Sequence, residues 1–570
     1  MSLVTGALQI GRSALLAYQS ALQVVGNNIS NAGSDSYVRQ TAVLTPITGI
    51  TLPEGYAPGG GVALTGLRRN VDETLENRLR MALGDQAAVL AEQQSLGRIE
   101  SILNELSDSD LSTLLQNFFN AWSNLQNAPE EESTRQMVLV AGETLANEIQ
   151  RQRQDALGLR DELNSLIEDS TQRANELAEA IAALNVQITA LENSSVGGAN
   201  ALRDQRDSLL RELSELVQIQ VREQPDGGVN VYIGNEPLIQ GGLNRGLTTT
   251  LETTDQDPKV VVRFADNNGM VSMTGGKIAG LITAREEHVL GFVDDLNSLA
   301  QALISEVNKV HAGGSGLKGY STVSGTFDVL DSAAALNSTN ANLDLVPNNG
   351  SFLIRVQDTS TGASIVTTIT VDLDGIGADE SLESLAAKLN AVGNVTAIAT
   401  SDNRLEITAD NGFEVYFAED TSNVLAALGI NTFFSGRDGS DIDINSLLTA
   451  TGGARLLAAG QGGGPGDGSN AATMANLATD TLSGLGGQSL NDFYNTIATR
   501  IAVKGSAAMA AVDAADAITM GLTSQRESVS GVNLDEETIS LMRLQRSFQG
   551  AARYATTVDD LINELLGLLG

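Results

Sequence analysis

The sequence predicts a multidomain α + β protein: an elongated rod with terminal coiled-coil-like helices, a helical-bundle domain and inserted β-rich domains. Three observations carry that expectation. Apolar residues step by three and four at both ends of the 570-residue chain, the repeat of a helix that packs along another helix. Between them the hydrophobic period changes in the order helix, β, helix, β, helix. The second β stretch, from about Tyr320 to Asn445, is Thr-rich and alternates apolar with polar residues, as a half-buried strand does.

In chain order, Val4, Leu8, Gly11, Leu15, Tyr18, Leu22, Val25 and Ile29 form the N-terminal seam. NNISNAGSDSYVRQ at 27–40 then stops the helix and makes turns, because Asn, Ser and Gly compete with helical hydrogen bonding. A Gly-rich extended passage runs to Gly66, and helical pattern resumes near Val71 and lasts to about Leu216. Within it Asp108 to Asp110 read as a helix start, Ala128-Pro129-Glu130 as a break, and Leu177, Ile181, Leu184, Ile188 and Leu191 as a further seam. From Ile219 the period is two. Ile219 and Val221, a turn at Asp226-Gly227-Gly228, then Val229, Val231 and Ile233 predict a hairpin. Helix returns from Gly275 to the Gly313-Gly314 breaker.

In the second β stretch Phe352, Ile354 and Val356 alternate, as do Ile365, Thr367, Ile369, Val371 and Leu373, while Leu382, Leu385 and Leu389 predict one short helix. GQGGGPGDGSN at 460–470 reads by composition as a flexible linker. Helix resumes at about Leu490 with Tyr494, Ile497, Ile501, Ala508, Ala511, Ala515, Ile518 and Leu522. The last seam is Leu541, Leu544, Phe548, Ala551, Ala555, Val558, Ile562, Leu565 and Leu569. Burial yields roughly 2 kcal/mol per apolar side chain, while ordering costs about 1–2 kcal/mol per residue. Neither terminal helix should therefore stand alone. The partner of the last helix is the first helix of the same chain or of its neighbour, and spacing alone leaves open an ordinary antiparallel pair or an assembly interface. The expected domains are a terminal axial-assembly domain (1–66 with 505–570), a helical rod (67–218, 274–320 and 470–504), a small β-hairpin region (219–273), an outer β-rich insertion (321–450) and a Gly-rich linker (451–469).

Composition narrows the function. A hydrophobic content of 42 % supports real cores. A formal charge of −36 with no localised basic patch disfavours nucleic acid and anionic membranes as partners. There is no cysteine, which removes disulfides, thiolate metal sites and a cysteine nucleophile. No secretory signal and no apolar run of membrane-spanning length is present, so export, if it occurs, is expected by a route that does not read such a signal.

The usual catalytic constellations are missing, and no enzyme, metal or cofactor is expected. His288 and His311 lack a second ligand at helical spacing, and His311 is expected at a helix C-terminus, which favours such a side chain. Gly275-Gly276-Lys277 lacks the rest of a phosphate loop and reads as a tight turn opening a helix. Asp535, Glu536 and Glu537 are expected to cap the last helix and complement its dipole. Trp122, among Phe118, Phe119 and Leu125, reads as helix packing.

NNISN at 27–31 with Tyr37, Arg39 and Gln40, together with SGVNLDEE at 530–537 and the LMRLQRSFQGAARYATTVDDLINELL that follows, resembles the axial proteins of the bacterial flagellum, and among them the hook-associated protein 1 family. NALRDQRDSLLRELSELV at 200–217, the start of the helix at 275–281, NKVHAGG at 308–314 and VLAALGINTFFSG at 424–436 are similar to it as well. At 33–36 the family commonly has Asn-Thr-x-Gly where this chain has Gly-Ser-Asp-Ser.

The resemblance implies a secreted, extracellular structural subunit that joins hook to filament. It is exported unfolded through the flagellar type III apparatus and polymerises through its terminal helices. The implied partners are copies of itself in a ring, the hook and filament-side axial proteins, and a cytoplasmic export chaperone on the C-terminal helix. The implied assembly residues are Leu8, Leu15, Leu22, Val25, Asn27, Asn28, Ile29 and Asn31 at one end, and Leu541, Leu544, Phe548, Ala551, Ala555, Val558, Ile562 and Leu565 at the other. Competing readings are another axial subunit, of hook or filament type, and a surface adhesin carried by the β insertion.

Overall fold

The computed structural model describes residues 2–34, 36–48, 59–103, 110–192, 197–254 and 257–569. Asp35, 49–58 of the Gly-rich passage and Asp108 lie outside the described residues, as do the side chains of Val4 and Leu569. The fold is multidomain α + β. It divides into two compact units, one of Met1–Ser95, Glu162–Arg285 and Ser506–Gly570, the other of Leu96–Asp161 and Glu286–Gly505. Each unit is assembled from separated stretches of chain, as insertions within insertions require.

In the first unit the helix Ser2–Ser30 packs against the helix Leu534–Leu569. Gly11 lies against Ala555 at one end and Asn28 against Glu537 at the other, so the two run antiparallel within one chain. The chain then forms an antiparallel ribbon, Gln40–Pro46 with Val62–Arg69, bulged between Val43 and Leu44. The predicted hairpin is present as Gln220–Glu223 with Val229–Ile233, and Val229, Val231 and Ile233 are buried. Two further strands extend that sheet, and Leu247–Thr254 pairs with Asp257–Phe264 beside it. The predicted turn at Gly276 is real. Its φ is +86°, and a Cβ there would stand 2.6 Å from Leu216 O, so only glycine fits.

In the second unit Asp110 caps the helix Leu111–Asn127, its carboxylate accepting the Thr113 N–H at 2.8 Å. That helix brings Phe118 and Trp122 into a buried aromatic cluster with His311, Phe433 and Phe434. The β insertion holds two three-stranded sheets. One orders Ser364–Val371, Gly350–Asp358 and Phe413–Ala418; the other orders Val395–Ala399, Leu405–Ala409 and Thr322–Ser324. The predicted helix Leu382–Leu389 buries Leu382, Leu385 and Leu389 in the same core as Phe352, Ile354 and Phe417.

Two expectations need correction here. His311 does end a helix, Leu290–Ala312, but it does not sit there as a cation facing the dipole. It is fully buried, its Nδ1 is 2.7 Å from Asn431 O and its Nε2 accepts the Ala458 N–H at 3.0 Å, which makes it a neutral ring protonated at Nδ1. The Gly-rich stretch is not loose either. Ala458 and Ala459 are fully buried, and the Asp467 carboxylate gathers the N–H groups of Gln461, Gly463 and Ser469 at 2.8–3.0 Å. Glycine content signals flexibility only while no side chain collects the free backbone donors.

Candidate assembly interface

The helix Ser2–Ser30 ends where Asn27 and Asn31 bond to each other, Asn31 Nδ2 donating to Asn27 O and Oδ1 at 2.9 Å. Between them Asn28 points inward and is 1 % exposed. All four of its amide bonds are made. Nδ2 donates to Gln40 O at 2.9 Å and to Glu537 at 3.0 Å, while Oδ1 accepts from the Gln40 N–H at 3.1 Å and the Tyr37 hydroxyl at 2.7 Å. One side chain thus clasps the loop that follows its own helix and the first turn of the last helix.

Glu537 is the other half of this clasp. Buried to 2 % exposure, it meets Arg39 Nε at 2.8 Å, and Arg39 reaches Glu536 at 2.9 Å with a second nitrogen. A carboxylate this deep is costly unless paired and hydrogen-bonded, and here it is both. The Arg39 N–H also donates to Ser530 O at 2.9 Å. Helix capping falls to Asn533, whose Oδ1 accepts from the Asp535 and Glu536 N–H groups. The expectation that Glu537 caps its own helix is therefore corrected: it ties the two ends of the chain together.

A second charged layer lies behind the loop. Arg69 pairs with Asp204 at 2.7 Å and Asp207 at 2.5 Å on the helix Asn200–Leu216. Burial pushes the Asp204 carboxyl up to about 6 against the pull of Arg69. Burial, with Asp204 and Glu537 nearby, pushes the Tyr37 hydroxyl up to about 12, so Tyr37 remains a donor to Asn28 at any physiological pH. Glu76 receives Arg526 at 2.7 Å and Arg211 at 3.4 Å.

Along the paired helices the structure distributes the predicted seam unevenly. Val25, Ala551 and Val558 are buried; Leu15, Leu22, Ile29, Leu541, Leu544, Phe548, Ala555 and Ile562 are half-buried; Leu8 and Leu565 are 38 % and 46 % exposed. Asn27 is exposed and Asn31 half-buried. Beside Asn28, the buried positions of the first helix are Gly11 and Val25 of the predicted seam and two small residues outside it, Ala17 and Ala21. A Cβ on Gly11 would stand 3.1 Å from that of Ala555, so the helices approach closely there. On the outer side of the last helix Ile539, Met542 and Leu561 are 50–63 % exposed, while Tyr554, 43 % exposed, edges the contact with its ring 3.4 Å from where a Gly11 Cβ would stand.

Residues 96–327 match the family model described as the flagellar hook-associated protein FlgK helical domain, and 523–568 match that of the flagellar basal body rod FlgEFG protein C-terminal region. Flagellar hook-associated protein 1 of Escherichia coli is 26 % identical over 564 residues, and that of Salmonella typhimurium 27 % over 573, each alignment covering 98 % of both chains. Over nearly its whole length this chain is similar to flagellar hook-associated protein 1. The Bacillus subtilis protein of that name is 28 % identical over 276 residues, 46 % of this chain and 54 % of its own. The solved flagellar hook junction protein FlgK of Burkholderia pseudomallei shares the fold, with a TM-score of 0.53 at 16 % identity over 80 % of this chain and all of its own. These likenesses support a structural axial subunit of the bacterial flagellum that self-assembles and associates with other rod and hook components. No helix among the described residues is long and apolar enough to cross a membrane.

Proposed function

We propose that this chain joins hook to filament as a preassembled pair of terminal helices, locked at one end by Asn28 and Glu537 and presenting its remaining apolar surface to neighbours. The observation that carries this reading is the division of the last helix into inner and outer apolar positions. The inner ones are half-buried or buried against its own chain, and the outer ones, Ile539, Met542 and Leu561, are exposed. Apolar positions left in water on a long helix are stabilised when another helix covers them. Leu8 and Leu565, at the open end of the pair, extend the same surface.

Residues 1–66 with 505–570 form the assembling part, and the remaining helices and β insertions carry no axial contact. The chain is secreted unfolded, since helices too weak to stand singly pass a narrow channel and order afterwards. Before export a cytoplasmic chaperone covers the last helix, masking inner and outer positions alike. Self-association in a ring and contacts with hook and filament-side subunits then use Leu8, Leu15, Leu22, Leu565 and the outer positions.

The test replaces the chromosomal copy by Leu8→Asp with Leu565→Asp and examines cell surfaces by electron microscopy. Hooks without filaments are expected, with the variant protein still exported. Normal filaments would overturn the reading.

A further inference from the structure

Charge is spread unevenly over this molecule. Against a formal −36 for the whole chain, residues 2–34, 36–48, 59–71 and 538–558 hold seven arginines and no aspartate or glutamate. In sequence those arginines are too scattered to form a basic run. Folding brings the stretches together in the first unit, where the ribbon and the last helix both pack on the helix Ser2–Ser30. Arg39 and Arg69 have the carboxylates described above. Arg543, Arg546 and Arg553 on the last helix are exposed, and among the described residues they make no ion pair.

Nothing in their own helix accounts for them. Neither Arg546 nor Arg553 has a carboxylate three or four residues away, where a helix forms ion pairs, and Arg543 and Arg546, three apart, repel each other. All three stand well before the C-terminal turn that a cation stabilises. Ile539, Arg546 and Arg553 recur every seven residues, on the side turned away from the buried Ala551 and Val558.

We propose that Arg546 and Arg553 dock this side of the last helix onto a carboxylate-bearing helix of an axial subunit of a different kind. A guanidinium offers a planar fork that holds a carboxylate through two hydrogen bonds. Two of them about 10 Å apart along one face fit carboxylates placed on every second turn of a partner helix, with Ile539 and Met542 as the apolar continuation. A copy of this chain does not fit. Gly11 lies against Ala555 and Asn28 against Glu537. At the level of the arginines a like-oriented copy therefore presents its first helix, whose one charge is Arg12, and the same acid-free stretch of its last helix. Arginine would meet arginine there, which repels.

This docking rests on the proposed covering of the outer side by neighbours. Arg546→Lys with Arg553→Lys keeps the charge and supplies two primary amines that a zero-length carbodiimide joins to any carboxylate in contact. Flagella isolated from that strain are coupled, digested and read by mass spectrometry. The expected product links position 546 or 553 to an aspartate or glutamate of another axial protein. Coupling confined to peptides of this chain, or no coupling at either position, overturns the proposal. Charge reversal gives a second readout that needs no cross-link. Arg546→Glu with Arg553→Glu is expected to be exported, to keep native amide protection along the last helix and to leave hooks without filaments. A reversed strain that swims normally also overturns the proposal. It leaves the role of Leu8 and Leu565 standing, because the variants that test that role carry both arginines.

Discussion

The Asn28 amide nitrogen lies 3.0 Å from a carboxylate oxygen of Glu537, and this bond holds the last turn of the first helix to the opening turn of the last. Both partners are buried. The contact separates two kinds of stabilisation in the terminal pair: a polar clasp at one end, and apolar packing that thins towards the other, where Leu8 and Leu565 are exposed.

Asn28→Ala removes four hydrogen bonds and leaves Glu537 with Arg39 alone. At about 1 kcal/mol net for each bond, less what water recovers, a loss of roughly 2–4 kcal/mol in the first unit is expected. Amide exchange should accelerate at residues 36–41 and 534–540 while the second unit is unchanged. Unaltered protection at those residues would show that the clasp contributes nothing.

Gly11 tests the close approach. Gly11→Ala adds a methyl 3.1 Å from Ala555 Cβ, where a small shift suffices and helix propensity gains up to about 1 kcal/mol, so little net change is expected. Gly11→Leu overfills the site and should destabilise the pair by about 1–3 kcal/mol. Thermal unfolding of both variants decides it, and equal melting temperatures would mean that the helices are free to move apart.

Much of this architecture was legible in the sequence, for reasons of period. The hairpin at 220–233 and the Leu382–Leu389 helix have apolar residues at the spacing that their elements bury, the Asp110 start is set by its cap, and the terminal seams mark the helices that pair although many of their residues are only half-buried. What escaped was chemistry that depends on a distant partner. Glu537 looks like any acid in a first helical turn, and only the return of Arg39 and Asn28 to it gives another role. Ala17 and Ala21 are more deeply buried than Val25 on the first helix, yet small side chains carry little hydrophobic signal. The Gly-rich stretch at 460–470 and His311 depart from expectation for one reason: Asp467 and the His311 ring each make bonds within a local environment that composition does not reveal.

Acid is expected to weaken the second unit through His311. Burial holds its pKa down to about 4 from an ordinary 6.5, so the native ring stays neutral while the unfolded ring takes a proton. Stability is intact above pH 6.5, falls as pH drops through the window, and the loss is complete near pH 4. Its size is on the order of 3 kcal/mol. Chemical denaturation at pH 7 and pH 4.5 should show a smaller difference for His311→Gln than for the native chain.

The first unit should respond in the opposite sense at Asp204. Its carboxyl is raised to about 6 from an ordinary 3.8, so the fold favours the protonated form. That contribution is fully present below pH 3.8 and is lost as pH rises through 6. Asp204→Asn is expected to flatten the rise in protection of the Gln40–Pro46 ribbon on moving from pH 7 to pH 5. An unchanged pH profile would place the titration on another group.

The last helix offers the sharpest separation between folding and assembly, because its inner and outer apolar positions can be charged independently. Phe548 is one of the half-buried inner positions, and an aspartate there introduces a charge into the pair itself, at a cost of a few kcal/mol where water is excluded. Phe548→Asp should therefore loosen both terminal helices in the isolated subunit and also stop filament growth. Leu561 is 52 % exposed on the outer side, so Leu561→Asp should leave amide protection and melting as they were. If the outer side is what neighbours cover, that same variant is exported, folds, and still fails to support a filament. A Leu561→Asp strain that swims normally would mean that the outer side faces solvent in the finished flagellum, leaving the Leu8 and Leu565 end of the pair as the surface that subunits share.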